Sequence, residues 1–326
     1  MRIGIIGSGF IVHTFINAAK QHKDIVLQAV YSRSEEKAQE LSKKYDIPMT
    51  YTDLNLLLED PTIDFIYVAS PNSLHYQQSL LALKANKHVI CEKPFSTTPE
   101  ELQELISLAK EKQLFLFEAI TTIHLPNYQK VHELLPSLGN IKLIQCNFSQ
   151  YSSRYDAFLK GENPNVFNPA FSGGVLMDLN IYNLHFVLGL FGQPNTSQYY
   201  VNKADNGIDT SGIAILQYPT FIASCVAAKD SASSNILQIQ GDKGYIIVSS
   251  SSICQQVEYH LLDGRTETYN LQKRDNHLYY ELDAFVRMYQ QQDLNSCYQL
   301  LNHSSLVLQT ATTLRHSAGI YFPIEK

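Results

Sequence analysis

The sequence predicts a doubly wound, parallel α/β domain followed by an α+β domain built on a large, mainly antiparallel open sheet. Three observations carry that expectation. At 326 residues the chain is too long for one compact core. Up to about residue 120, short continuously apolar runs alternate with longer amphipathic segments. Beyond it, successive strand-like runs follow one another with short polar turns between them. The expected division is therefore 1–120 and 121–326.

In the first part, Arg2–Ile6, Ile25–Tyr31, Phe65–Ala69, His88–Cys91 and Leu114–Glu118 are β-branched or aromatic runs, as expected for strands covered on both faces. Helical patterns lie between them at Ile11–His22, Glu35–Tyr45, Leu74–Asn86 and Pro99–Lys112. The last has a start signal, with Thr98 as N-cap, Pro99 at the first helical position and Glu101 completing a capping box. Strand–helix alternation at this spacing implies right-handed βαβ units. In the second part, Ile141–Ser149, Thr196–Lys203, Gly212–Tyr218, Phe221–Ala227, Ile236–Gln240, Tyr245–Ser249, Val257–Leu262 and Thr266–Leu271 read as strands. Ile144, Cys146 and Phe148 alternate with Gln145 and Asn147, so one face is expected to be buried and the other wetter. Gly241-Asp242-Lys243-Gly244 and Asp263-Gly264 mark turns. Two helices, near Leu278–Gln291 and Tyr298–Ser317, close the chain, with Gly319 as a stop. The open sheet needs a cover for its wetter face, and a second copy would supply one, which suggests a homodimer or a dimer of dimers.

Composition excludes some classes. A net charge of −6 is not that of a nucleic-acid surface. Cys91, Cys146, Cys225, Cys254 and Cys297 form no C-x-x-C pair, which argues against a metal site and a disulfide framework and for reduced thiols in the cytoplasm. No signal-peptide pattern and no apolar run of ~18 residues is seen, so no membrane association is expected.

The sharpest local pattern is Gly7-Ser8-Gly9-Phe10-Ile11-Val12, between the first strand and the first helix. Gly7 permits a tight turn and Gly9 a close backbone approach, while the helix beginning at Phe10 aims its N–H groups at an anion. This is the Rossmann arrangement for a dinucleotide pyrophosphate, with Val12 standing where a third glycine is usual. After the second strand comes Ser32-Arg33-Ser34, with Lys37 one turn on and no carboxylate at the strand tip to bond a ribose 2′-hydroxyl. Arg33 can fork onto a 2′-phosphate, so NADP is favoured over NAD; a solvated loop arginine is the other reading.

Two further segments extend the pattern: Ser70-Pro71-Asn72-Ser73-Leu74-His75 with Glu92-Lys93-Pro94, and Ser172-Gly173-Gly174 followed by Asp178 and Tyr182. Together they make the chain similar to the glucose–fructose oxidoreductase / inositol dehydrogenase (Gfo/Idh/MocA) family, and Tyr182 resembles the dihydrodiol-dehydrogenase-like branch, where inositol dehydrogenases carry His. The resemblance implies an NAD(P)-dependent dehydrogenase or reductase acting on a secondary alcohol or ketone of a sugar, cyclitol or cyclic diol. It makes Lys93 the catalytic or substrate-orienting lysine and adds Ser70, Pro71, Asn72, His75 and Glu92 to the cofactor site of Gly7, Ser8, Gly9, Phe10, Ile11, Ser32, Arg33 and Lys37. Tyr182 would exchange the proton of the reacting hydroxyl, with Lys93 lowering its pKa from ~10 and Asp178 orienting Lys93 or the substrate. Tyr182 as an ordinary packed aromatic is the bland alternative.

His185, Asn180 and Tyr155 are candidate substrate contacts, each with a packing role as its alternative. Tyr151–Phe171 reads equally as an aromatic wall over the nicotinamide or as a packing loop. The sequence departs from the family at Ser172 and Asn180, where glycines are usual, and near His124-Leu125-Pro126, which lacks an arginine. A dinucleotide-binding sensor without turnover is the competing function, and it has no need of both Lys93 and Tyr182.

Overall fold

The computed structural model describes residues 1–325 and divides into two compact units. The first is Met1–Ala119 together with Arg274–Ser305; the second is Ile120–Lys273 together with Leu306 to the C-terminus.

The first unit holds a parallel six-stranded sheet of β1 (Arg2–Ile6), β2 (Val26–Tyr31), β3 (Met49–Tyr51), β4 (Phe65–Val68), β5 (His88–Glu92) and β6 (Leu116–Ala119), ordered β3-β2-β1-β4-β5-β6. The connecting helices are α1 (Phe10–Ala19), α2 (Glu35–Tyr45), α3 (Leu54–Glu59), α4 (His75–Lys84) and α5 (Pro99–Glu111). Every residue of β4 and β6 is buried, as a sheet covered on both faces requires. Thr98 and Glu101 form the expected capping box at the start of α5. The strand order reverses between β1 and β4, and such a switch opens a crevice at the strands' carboxyl ends, where α/β sheets bind ligands.

Two features differ from the sequence expectation. The short β3 and α3 carry too few residues to show a period. Helix α9 (Leu278–Gln290) belongs to the first unit, where Leu278, Leu282, Phe285 and Val286 join the core and Phe285 stacks on Phe117 at 4.3 Å. A single boundary near residue 120 does not describe that return.

The second unit carries eight strands: β7 (Ile141–Ser149), β8 (Thr196–Lys203), β9 (Asp209–Gln217), β10 (Ile222–Ala228), β11 (Ile236–Gly241), β12 (Gly244–Val248), β13 (Val257–Leu261) and β14 (Thr266–Tyr269). Their order is β14-β13-β12-β11-β7-β10-β9-β8, antiparallel except for the parallel pair β7–β10. The alternation in β7 works as read, with Ile144 and Cys146 buried. Helices α6 (Pro126–Leu134), α7 (Tyr155–Leu159), α8 (Ile181–Phe191) and the end of α10 (Leu294–Ser317) complete the unit.

The expectation of no long apolar segment needs correction. Pro169–Phe191, 23 residues, is apolar enough to cross a membrane by length and composition. It is a core segment: 67% of its most apolar window is buried within the protein, so its hydrophobicity is spent on packing.

Candidate functional site

The expected dinucleotide end is built from backbone. Gly7 has φ +125°, and a Cβ there would collide with the Ala69 carbonyl oxygen, so β1 and β4 can turn away side by side only with glycine at this place. A Cβ on Gly9, by contrast, would meet no protein atom within 4 Å. Gly9 is the N-cap of α1, with no side-chain cap and no acidic residue in the first turn. Helices α2, α3 and α5 are capped by Ser34, Asp53 and Thr98. An uncapped positive end beside open space is the arrangement an anion completes. Phe10 is 86% exposed and Ile11 half-buried, while Val12 is fully buried against the turn, so the missing third glycine is replaced by a packing residue.

At the tip of β2, the Ser32 N–H donates to the Tyr51 carbonyl and the Ser32 hydroxyl accepts from the Ser34 N–H. Arg33 and Lys37 are exposed, and the Ser34 hydroxyl accepts from the Lys37 N–H. After β4, the Ser70 hydroxyl is buried and has no hydrogen-bond partner among the described residues. An orphaned donor at the carboxyl end of β4 fits a ligand in the crevice. These features are what a pyrophosphate and its ribose would need.

His75, an expected cofactor contact, has both ring nitrogens engaged within the protein. It is 1% exposed, with Nδ1 2.9 Å from the Pro94 carbonyl and Nε2 2.8 Å from the Ser70 carbonyl, so it ties two loops of the site together. A neutral ring can donate to only one of them. Burial pulls its pKa below the ordinary histidine value, against the two carbonyls, which raise it. Pro71 and Asn72, half-buried, open the short helical turn ahead of α4.

Lys93 follows β5, is half-buried, and is joined to Pro94 by a cis peptide bond. Glu92 before it is buried and accepts the Tyr67 phenolic proton at 2.6 Å. Burial raises its carboxyl to about 7, against the Tyr67 hydrogen bond and the Lys93 charge, which both lower it.

In the second unit, Gly174 has φ +106° and leaves no room for a Cβ against the Asp209 carboxylate, while Ser172 adopts φ +53°, the left-handed region that explains a usual glycine there. Asp209 accepts the Leu176 N–H at 2.8 Å and the Tyr199 hydroxyl at 2.9 Å, fixing the start of the following helix. That helix opens as a π-turn over Leu176–Asn180 and continues as α8. A π-turn is a wider coil recurrent at functional sites, and Asp178 sits inside it. Tyr182 lies in the first turn of α8, half-buried, edge-to-face with Phe148 at 5.6 Å.

Of the candidate substrate contacts, Asn180 is fully buried and donates to the Cys225 carbonyl of β10 while accepting from Asn183, which makes it a tie between helix and sheet. His185 is fully buried too. Tyr155 belongs to an aromatic cluster with Tyr151, Phe158 and Phe167. Asn180 and Tyr155 thus have the contacts within the protein that a packing role requires.

One residue escaped the sequence reading. Lys229, just past β10, has a side chain 2% exposed and donates to Asp178 at 2.8 Å. A lysine after a strand reads as solvated, and nothing in the local sequence marks it as buried. Among the described residues no group of three His, Cys, Asp or Glu side chains could hold a metal.

Known proteins bear on this geometry. Residues 1–120 match an oxidoreductase family with an NAD-binding Rossmann fold, and residues 128–247 match the GFO/IDH/MocA C-terminal domain. The chain is 34% identical to scyllo-inositol 2-dehydrogenase (NADP(+)) IolU of Bacillus subtilis, covering 100% of this chain and 99% of that protein. It is 25% identical to trans-1,2-dihydrobenzene-1,2-diol dehydrogenase of Sus scrofa, over 100% of this chain and 99% of the other. Its fold matches a 3-ketoreductase of Actinomadura kijaniata solved with NADP and TDP-benzene, with TM-score 0.84 at 21% identity and 99% of each chain covered.

Proposed function

The chain belongs to the Gfo/Idh/MocA oxidoreductase family, and we propose on that footing that it moves a hydride between NADP and a secondary alcohol or ketone of a sugar, cyclitol or cyclic diol. It is an NAD(P)-dependent oxidoreductase acting on CH–OH groups. The observation that carries the reading is the uncapped start of α1 beside Gly7 and open Gly9, on the same unit as Glu92-Lys93-Pro94. The absence of an acidic residue at the tip of β2, with Arg33 exposed there, supports NADP as the cofactor, as does the NADP-named relative.

In this reading Gly7, Ser8, Gly9, Phe10 and Ile11 hold the pyrophosphate through main-chain N–H groups, and Ser32, Arg33 and Lys37 receive the 2′-phosphate. Ser70, Pro71, Asn72 and Glu92 line the nicotinamide end, with His75 holding their loops. When bound, the nicotinamide supplies or accepts the hydride. Lys93 donates to the substrate oxygen and stabilises the charge it develops. In the oxidising direction Tyr182 takes the hydroxyl proton as the carbon gives up its hydride and the C=O bond forms; in reduction it returns that proton. Asp178 accepts a hydrogen bond from the substrate and sets its orientation.

We further propose a soluble cytoplasmic enzyme that assembles as a homodimer through the outer face of the second sheet. Five buried free cysteines support the compartment. Tyr200, Ile213 and Ile236, at 64, 42 and 41% exposed, lie in register with Val226 and Asn147 in one row across that sheet, a surface that a second copy would cover. The functional test is NADPH- or NADP-linked absorbance change over a panel of sugars, inositols and cyclic diols, with Tyr182→Phe alongside. The variant should lose ~10²-fold in turnover while binding NADPH normally. Near-normal turnover removes Tyr182 from the chemistry, and tight dinucleotide binding with silence over the whole panel favours a sensor.

A further inference from the structure

Asp178 does not stand on its own in the second unit. Lys229 Nζ donates to Asp178 Oδ2 at 2.8 Å and to the Val166 carbonyl at 3.0 Å, and it lies 4.5 Å from the centre of the Phe167 ring. The lysine side chain is 2% exposed and the aspartate 30%. An ammonium has three N–H bonds. Here two are given to oxygens, and the charge rests on an aromatic face, an attraction that strengthens when water is excluded. The burial of this cation is compensated on every side, and its main chain is fixed as well, its N–H donating to Thr210 and its carbonyl accepting from Ser152.

We propose that Lys229 is a positioning residue, the fixed cation that orients the Asp178 carboxylate and holds it ionised, so that Asp178 meets the substrate as a hydrogen-bond acceptor. The inference rests on the oxidoreductase reading for the role of Asp178. Two facts favour orientation over a plain stabilising pair. Asp178 sits in the π-turn, a wider coil recurrent at functional sites, and the bond to Lys229 fixes one of its carboxylate oxygens there. The carboxylate is also the more exposed partner, with one oxygen bound to the buried lysine and the group still open to solvent. A pair built only for stability has no need to leave its anion accessible. The Phe167 ring, itself packed against Tyr155 and Phe158, then has a use: it shields the ammonium from water.

The substrate chemistry follows. A carboxylate held charged can accept but not donate, so it selects a ligand carrying a hydroxyl beside the reacting carbon, as vicinal diols and polyols do. Substrates lacking the second hydroxyl forgo that hydrogen bond, and discrimination against them should be large.

The test is carboxyl ¹³C NMR titration of Asp178 in the full-length wild type, K229M and K229R, run with pH profiles of kcat/KM. In K229M the Asp178 midpoint should rise by at least ~1 unit with the acid limb of kcat/KM moving alongside, NADPH affinity staying within about twofold, and K229R restoring most of both. An Asp178 midpoint unmoved in K229M overturns the proposal. Should K229M fail to fold, K229Q gives the second measurement. Its Asp178 carboxyl midpoint should rise by at least ~1 unit in the same ¹³C titration, and an unmoved midpoint overturns the proposal equally. Neither titration needs a substrate. A wild-type protein without turnover therefore sinks the oxidoreductase reading and leaves this one to stand or fall on its own spectra.

Discussion

Replacing Glu92 with Gln should make the protein more resistant to unfolding at alkaline pH than the wild type. Glu92 ends β5, is 7% exposed, and accepts a hydrogen bond from Tyr67, whose ring stacks on Phe15 at 3.6 Å. Burial raises its carboxyl from 4.5 to about 7. A folded-state pKa above the unfolded one means that the folded chain binds the proton more tightly. The stabilisation this gives is complete below pH 4.5 and is lost as pH rises through 7. A shift of 2.5 units (7 minus 4.5) corresponds to about 3 kcal/mol, as an order of magnitude. Glutamine keeps an oxygen for the Tyr67 hydroxyl and carries no charge at any pH, so E92Q lacks that loss. Urea unfolding of both proteins from pH 4.5 to 8.5 supplies the assay, because the difference between variant and wild type cancels the other titrating groups. The stability of E92Q relative to wild type should climb by about 2–3 kcal/mol across that range. A difference flat to within ~0.5 kcal/mol would refute the reasoning, since it would mean that the buried carboxyl is already ionised at no cost.

The two glycines of the turn should separate cleanly. G7A, strained at φ +125° and blocked by the Ala69 carbonyl, should lose at least ~2 kcal/mol in a denaturant melt, whereas G9A should melt like the wild type and bind NADPH at least ~10-fold more weakly, because its methyl fills the space a phosphate needs. Exchanging Arg33 for Ala should cost ~10-fold or more in affinity for NADPH and little for NADH by fluorescence titration, and equal losses would deny it the 2′-phosphate. F285A should cost about 3–5 kcal/mol, because the ring lies fully buried against Phe117 in the first unit's core. At the other end, Glu325 is paired with Arg315 and His316 and its carboxyl is lowered from 4.5 to about 2, so its contribution is present above pH 4.5 and disappears as pH falls through 2. Allowing for solvent screening, E325Q should lose about 1 kcal/mol at pH 7 and nothing by pH 2, and equal losses at both would assign the residue a purely packing role.

What the sequence made legible, and what it hid, follows from the range of the interactions involved. Strands β1, β4 and β5 could be read because burial on both faces leaves an unbroken apolar run, a signal contained within four or five residues. The glycine turn and the Thr98 capping box are local in the same sense: backbone conformation at Gly7 and the bond from Thr98 to Glu101 depend on neighbours in the chain. Helix α9 was legible as a helix but not as part of the first unit, because an amphipathic stripe states that a face is buried without stating against what. The polar residues followed the same rule with larger consequences. Asn180 and His185 are candidate substrate contacts in sequence because a polar side chain near Asp178 and Tyr182 has no visible partner there; the structure gives Asn180 one, a carbonyl of β10, 45 residues away. Lys229 is the converse, a residue that looked solvated and is buried by Asp178, Val166 and Phe167, all more than 50 residues before it. A site assembled from long-range polar contacts is therefore half visible in one sequence. Its proposed phosphate end, built of backbone, declares itself, and a side chain proposed to orient a catalytic one does not, because it is defined by a bond to a residue that only folding brings near.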